Sequence, residues 1–178
     1  KKILGLRSLD PVDMEVGAAD RGTLIHDTME KFTKTHPKDL PANAYDDLIA
    51  LGKTVFQEQS QNPEIQGFWW PRFTKAARWF INHEQGWRTG TAAIFSEAQG
   101  YTTFTIADHA FSLKGKADRI ESRQDGSYAI IDYKTGAPPE PKEVKAGLSS
   151  QLPLEALILQ NGGFDKINYR PEAAISLH

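Results

Sequence analysis

The sequence contains no cysteine. This absence excludes disulfides, zinc–thiolate sites, iron–sulfur clusters and thiol nucleophiles, and it is typical of proteins in a reducing compartment. The sequence also lacks any apolar run near the roughly 20 residues that a membrane-spanning helix needs, and no secretory signal opens it. We therefore expect a globular protein that has no membrane partner.

An excess of positive charge is missing as well. The 178 residues include 21 Lys and Arg against 23 Asp and Glu, for a formal net charge of -2. This balance argues against a grip on duplex nucleic acid through bulk positive charge, so any such contact has to be local. The length suits one domain. Because the sequence starts without methionine and stops within an apolar run, we expect residues 1–178 to be a single domain excised from a longer chain.

Helical periodicity marks the first half of the chain. Apolar residues at helical spacing predict a helix over residues 19–34, a second helix that starts after Asn43, and a third that follows Pro71 and ends at Gly86. His26 lies at the border of the apolar stripe of the first helix. In isolation, a histidine in this position is more often a core residue than a ligand.

In the second half of the chain the apolar period changes to two, which predicts strands. The runs 91–97, 101–106 and 111–121 predict an antiparallel meander, and residues 128–134 predict another strand. A last helix over 151–160 and an edge strand over 167–177 complete the pattern. The fold class is therefore α/β, of a mixed α+β type.

A predicted hairpin is the most informative segment. Its loop, Gln-Asp-Gly at residues 124–126, suits a type I turn followed by a glycine in the left-handed region. A loop centred there sets Asp118 opposite Asp132. Because side chains alternate along a strand, Lys134 projects to the same face as Asp132 while Tyr133 points away. Two carboxylates and one ammonium thus converge on one patch.

Two opposed carboxylates repel each other, so a divalent cation between them best explains the arrangement. Mg²⁺ typically takes one or two carboxylates together with waters and a substrate phosphate. The alternative is two surface ion pairs, Asp118 with Arg119 and Asp132 with Lys134. The isoleucines before Asp132 weaken this alternative, because they place Asp132 at the end of a buried strand.

Four short motifs follow one another along the chain: Gly22-Thr23-Leu24-Ile25-His26, Gly115-Lys116-Ala117-Asp118-Arg119-Ile120, Ile131-Asp132-Tyr133-Lys134-Thr135-Gly136 and Gln151-Leu152-Pro153-Leu154. In order and spacing they resemble the motifs of the RecB-type PD-(D/E)XK nucleases, across roughly residues 19 to 160. The likeness is greatest to the C-terminal nuclease domains of AddB-type subunits. It implies a restriction-endonuclease-like core of helix, three-stranded antiparallel meander, helix and strand, with a helical insertion at about 43–88.

The resemblance also implies roles for individual residues. His26, Asp118, Asp132 and the main-chain carbonyl of Tyr133 would hold a Mg²⁺ or Mn²⁺ ion. Lys134 would be the catalytic lysine.

The remaining candidate positions are Gln151, Arg119, Glu155 and Glu97. By the same resemblance Gln151 would join the catalytic set, and both Gln151 and Arg119 would contact nucleic acid. Many relatives carry a tyrosine four residues after the glutamine, where this chain has Glu155, so no role is assigned to Glu155. Glu97 ends a predicted strand and is either a carboxylate beside the site or an exposed edge residue. The iron–sulfur cluster of some AddB relatives is impossible without cysteine.

The implied function is metal-dependent, exonuclease-type cleavage of single-stranded DNA during double-strand break repair and recombination. The implied partners are an AddA-type helicase subunit and the remainder of the protein's own chain, in the bacterial cytoplasm. Two alternatives stay open. One is a DNA-binding or scaffolding module of the same fold that lacks the chemistry. The other is an HD-type metal phosphohydrolase, suggested by His26-Asp27, although His36, His83 and His109 lack the matching context.

Overall fold

A computed structural model describes residues 18–59, 63–134, 142–143 and 149–178. The end of the third motif, Thr135-Gly136, lies outside these residues. The structure is of the mixed α and β type that the sequence predicts. Its elements are α1 (Ala18–Thr35), α2 (Ala44–Gln59), α3 (Pro63–Trp87), β1 (Thr91–Ile106), β2 (His109–Arg123), β3 (Tyr128–Ile131), α4 (Gln151–Gln160) and β4 (Ile175–Leu177).

The four strands form one sheet in the order β1-β2-β3-β4. Strands β1, β2 and β3 make the three-stranded antiparallel meander that the family resemblance implies, whereas the runs 91–97 and 101–106, predicted as two of its strands, are both part of β1. Strand β4 pairs in parallel with β3 at the sheet edge. The final strand is shorter than the predicted 167–177. A turn, in which the Ala173 N–H donates to the Arg170 carbonyl at 2.9 Å, precedes β4, and Pro171 within that turn has no N–H for a ladder.

Helix α3 corrects the prediction that the third helix follows Pro71. It begins at Pro63 and continues through Pro71. Proline suits a first helical position, but inside a helix it costs about 3 kcal/mol. Trp69 is buried in the core that the three helices share, and Trp70 packs against the same core. Burial of one large apolar side chain contributes about 2–3 kcal/mol, so tertiary packing on this scale offsets the local penalty.

Strand β1 is continuous, although the sequence predicts two strands separated at Gly100. A Cβ at Gly100 would lie 2.5 Å from the Phe164 ring and 2.9 Å from the Gly163 carbonyl. The glycine therefore permits close packing and does not end the strand. The β1–β2 hairpin closes through Ala107 and Asp108, both with positive φ (45° and 66°), as a tight two-residue turn requires.

Within the residues that the structure describes, two apolar clusters stabilise the fold. The first joins α1, α2 and α3 through residues such as Phe32, Leu48 and Phe73. The second packs α4 on the sheet, with Ile130 and Ile158 among its members. Among the described residues, no helix has the length and apolar character to cross a lipid bilayer.

Candidate active site

The hairpin between β2 and β3 has the predicted loop and register. Arg119 pairs with Ile131 and Ser122 with Tyr128, so the next pair beyond the ladder sets Asp118 opposite Asp132. Gly126 has a φ of 86°, the left-handed conformation that the loop requires. The prediction that these two strands bring the aspartates together is confirmed.

Strand β3 ends at Ile131, three residues earlier than predicted. The Tyr133 N–H donates to the Asp118 carboxylate at 2.9 Å, in place of a main-chain partner on β2. On its other side the Asp132 N–H donates to the His178 carbonyl at 3.1 Å. The Asp118 side chain thus takes the place of a main-chain hydrogen-bond partner just beyond the end of the β2–β3 pairing.

Asp118 lies at a break in the side-chain alternation of β2, opposite a second irregularity in the edge strand β1. Ala117 and Ile120 both pack in the cluster beneath α4, although a regular strand would put them on opposite faces. Opposite Asp118, Glu97 adopts a φ of 55°, which is rare for a residue other than glycine. Such irregularities commonly re-aim side chains next to functional sites. The prediction that Glu97 ends a strand is wrong. Glu97 lies within β1, and its carboxylate pairs with Lys116.

The His26 side chain projects from α1 and contacts the Asp118 carboxylate. Its Nδ1 lies 3.4 Å from Asp118 Oδ2, and its Nε2 lies 2.5 Å from the Tyr133 carbonyl oxygen. The hydrogen bond with Asp118 is the main cause that raises the pKa of His26 above its usual value, against the effect of burial. Burial alone would raise the pKa of Asp118, but His26 and the Tyr133 N–H hold it below its usual value.

Lys134 and Gln151 enclose the second aspartate. Lys134 Nζ lies 2.6 Å from Asp132 Oδ2. The Gln151 amide donates to Asp132 Oδ1 at 2.9 Å and accepts from Lys134 Nζ at 3.1 Å. The Asp132 carboxylate is largely buried, whereas the Lys134 side chain is 42% exposed. The ammonium is therefore accessible from solvent.

Glu155, which has no role assigned from the sequence, also belongs to this group. It lies one helical turn after Gln151, whose amide donates to Glu155 Oε1 at 3.2 Å. Burial, together with the charges of Asp132 and Asp118, raises the pKa of Glu155 to about 7 against the opposing effect of the Gln151 hydrogen bond. The i, i+4 spacing places Gln151 and Glu155 on the same face of α4.

The sequence predicts that Arg119 contacts nucleic acid. The structure contradicts this prediction, because the Arg119 side chain is fully buried. Its guanidinium donates to both carboxylate oxygens of Glu84 at 2.8 Å and to the Tyr133 hydroxyl at 3.1 Å, and it also pairs with Glu121. Although burial alone would lower the pKa of Arg119, Tyr133 and the two acids hold it above its usual value. The network ties Tyr133 to α3 and leaves this cation no access to a phosphate.

The structure brings His26, Asp118 and Tyr133 together on one side and Asp132, Lys134 and Gln151 on the other. Within the described part of the chain, no three His, Asp or Glu side chains stand at metal-binding distances around one point. The donors nevertheless suit a hard divalent cation. They are carboxylate, carbonyl and imidazole groups, and one buried oxygen, Glu155 Oε2, has no hydrogen-bond partner among the described residues.

A helix, an antiparallel meander and a second helix that gather two aspartates and a lysine are typical of nucleases that act on phosphodiesters. A family model described as the PD-(D/E)XK nuclease superfamily matches residues 1–175. The chain belongs to this superfamily. The HD interpretation is not supported, because His36 packs on the Phe32 ring and His83 stacks on Trp79, both away from His26.

Similar proteins occur in Rickettsia. The chain is 34% identical over 172 residues to an uncharacterized protein of Rickettsia conorii, and this match covers 94% of the chain and 20% of the relative. Uncharacterized proteins of Rickettsia felis (33% over 169 residues) and Rickettsia bellii (30% over 165 residues) match 93% of the chain and 20% of their own length. The chain thus spans about a fifth of the length of these curated relatives.

Proposed function

We propose that this protein is a divalent-metal-dependent deoxyribonuclease that cleaves phosphodiester bonds of single-stranded DNA. The observation that carries the proposal is the contact of Lys134 Nζ with Asp132 at 2.6 Å, at the end of a strand that faces Asp118. Two acids and one accessible ammonium, in a chain of the PD-(D/E)XK superfamily, form the minimal set for metal-assisted hydrolysis of a phosphodiester.

Four groups would hold the cation: His26, Asp118, Asp132 and the carbonyl of Tyr133. Held there, a divalent cation would supply Lewis-acid chemistry, which lowers the pKa of water and withdraws charge from the phosphate. Lys134 contributes a positive charge that orients the attacking water and offsets charge on the pentacovalent transition state. Gln151 positions Lys134, since its amide oxygen accepts from the ammonium. Positioning of this kind lowers the entropic cost of reaching the transition state.

The net charge of -2 favours a single strand over a duplex as the substrate. A domain of this charge has weak intrinsic affinity for DNA, so delivery by a motor would replace affinity with local concentration. We therefore include in the proposal a helicase–nuclease assembly of the AddAB type that acts in double-strand break repair. The curated relatives are about five times as long as this match, which leaves room in such chains for further domains.

Cleavage assays test the proposal. A labelled single-stranded oligonucleotide should be cut with Mg²⁺ or Mn²⁺, should stay intact with a chelator, and should be cut faster than a blunt duplex at the same low salt. Asp118→Asn should abolish the activity. Asp108→Asn is the matched control, because it makes the same chemical change in an exposed turn whose positive φ suits asparagine. Absence of metal-dependent cleavage would refute the nuclease activity. Equal cleavage rates on both substrates would refute the preference for single-stranded DNA.

A further inference from the structure

An aromatic cluster lies exposed on the second half of α3, and the proposed cleavage mechanism does not use it. Trp79, His83 and Trp87 follow one another at four-residue steps, so they share one face of the helix. Trp79 is 53% exposed and Trp87 is 37% exposed, although tryptophan is a largely buried residue in most folded proteins. Exposed aromatic side chains that cluster in this way commonly mark a binding surface.

Contacts within the cluster hold its rings in place. The His83 ring stacks on the Trp79 ring, with centroids 4.2 Å apart and planes 29° apart, and His83 Nδ1 lies 2.7 Å from the Trp79 carbonyl oxygen. The Trp87 ring packs edge-on against Trp79, with centroids 5.7 Å apart. Because these contacts restrict the rings while about half of Trp79 remains exposed, a planar ligand can stack there with little further loss of side-chain entropy.

The exposed charge around the cluster is positive. Over residues 67–87, the exposed side chains of α3 include three cations: Arg72, Lys75 and Arg78. The one acid of this stretch, Glu84, is fully buried. Lys75 lies about one helical turn before Trp79 and Arg72 about two turns before it, so both share the face of the aromatic cluster. In a chain of net charge -2, this face is a local positive surface that complements a phosphate backbone.

Helix α3 joins this face to the candidate active site. On its inner side the Phe80 ring packs against the Tyr133 ring, with centroids 6.0 Å apart, and Glu84 accepts from Arg119, which also donates to the Tyr133 hydroxyl. Trp79 directly precedes Phe80, so the exposed face and the inner side are separated by the thickness of one helix, about 10 Å. A strand held on the exposed face is therefore kept close to the site, which raises its local concentration there.

We propose that the α3 face formed by Arg72, Lys75, Trp79, His83 and Trp87 binds single-stranded DNA outside the cleavage site. The inference rests on the proposed function in its choice of a single strand as the ligand. An unpaired base stacks on the exposed part of Trp79, and the two cations contact phosphates of neighbouring nucleotides. Bases of a duplex are stacked on one another, so this contact selects a single strand. Every base has a π-face, so the surface accepts any base sequence.

Binding of an oligothymidylate of about 12 nucleotides to the whole protein, in the presence of a chelator, tests this inference without any cleavage. The tryptophan fluorescence of the wild type should fall as the oligonucleotide is added, because a stacked base quenches an exposed indole. Trp79→Ala should bind about 5-fold more weakly or worse, the scale of one lost base stack. Phe111→Ala is the matched control, since it removes an aromatic side chain of similar exposure, 54%, from β2 and should bind as the wild type does.

Salt dependence tests the charged part of the surface. Lys75→Gln should reduce the slope of log affinity against log salt concentration by about 0.7, the effect of one lost contact with a phosphate of a single strand. Lys166→Gln, the same change at an exposed residue beyond α4, should leave the slope unchanged. Equal slopes for Lys75→Gln and Lys166→Gln would overturn the contact of Lys75 with phosphate.

The outcomes separate this surface from the nuclease. Unchanged wild-type fluorescence overturns the surface without reference to any variant, and so do equal affinities of the wild type and Trp79→Ala. Either result leaves the nuclease standing, because that proposal depends on cleavage with metal. A wild type that binds the oligonucleotide with chelator but never cuts it with metal overturns the nuclease alone. Sedimentation that shows a dimer of the wild type and a monomer of Trp79→Ala, without DNA binding, would overturn the surface in favour of a contact between protein chains.

Discussion

Replacement of the buried Arg119 by methionine should destabilise the protein strongly. The substitution keeps most of the side-chain volume but removes the charge that faces Glu84 and Glu121, both of which are fully buried. Removal of one partner from a buried ion pair typically costs about 3–5 kcal/mol, because the remaining charge is left uncompensated. Arg88 still pairs with Glu84 at 2.7 Å, which points to the lower end of this range.

Urea and thermal unfolding, followed by tryptophan fluorescence, measure this loss. For a domain of this size, about 1 kcal/mol corresponds to roughly 2–4 °C in Tm, so a loss of about 3 kcal/mol should lower the Tm of Arg119→Met by about 6–12 °C. Arg78→Met is the control: Arg78 lies exposed on α3, over the Tyr45 ring at 4.7 Å, and its loss should cost less than about 1 kcal/mol. If Arg119→Met lost no more than this control, Arg119 would not be buried between two acids.

Three further predictions concern other parts of the molecule. The pKa of His26 is raised, so its pair with Asp118 stabilises the metal-free protein fully below the ordinary pKa of 6.5, and this stability is lost as the pH rises through the raised pKa. His26→Gln should therefore narrow the difference in unfolding free energy between about pH 5.5 and pH 8.5; an unchanged difference would exclude the pair. Gly163→Ala places a Cβ 2.1 Å from the Tyr101 carbonyl and should cost about 1–3 kcal/mol in urea unfolding, whereas Gly86→Ala, in open helical space, should be neutral or stabilising. Tyr133→Phe removes one acceptor for Arg119 and should cost about 1 kcal/mol in the same assay; a variant as stable as the wild type would contradict this hydrogen bond.

The parts of the fold that depend on neighbouring residues could be predicted from the sequence. The Gln-Asp-Gly loop determines the register of its own hairpin, so Asp118 and Asp132 could be placed opposite each other. The periodicity of α1 gave its extent within a residue at each end. By contrast, Pro71 signals a helix start by local rules, and the packing of Trp69 and Trp70 against the three-helix core offsets that signal.

The parts that depend on distant residues could not be predicted. Arg119 reads as a surface cation because nothing nearby in sequence indicates that Glu84, 35 residues earlier, meets it inside the protein. The break in side-chain alternation at Asp118 lies opposite Glu97 on β1. Glu97 has a positive φ, but it is not a glycine, so its sequence does not indicate this conformation. Glu155 stands at a suitable spacing from Gln151, but its depth depends on how closely α4 packs on Gly115.

Removal of the Lys134 ammonium directly tests the proposed nuclease mechanism. An ammonium cannot ligate a cation, so Lys134→Met should leave Mn²⁺ affinity equal or higher. The side chain is exposed enough that its ion pair contributes less than about 1 kcal/mol to stability. Cleavage of single-stranded DNA by Lys134→Met, measured beside the wild type at saturating Mn²⁺, should fall by about 100-fold or more, the scale of one lost electrostatic contact in the transition state. Retained cleavage in a folded, metal-binding Lys134→Met protein would contradict a catalytic role for Lys134.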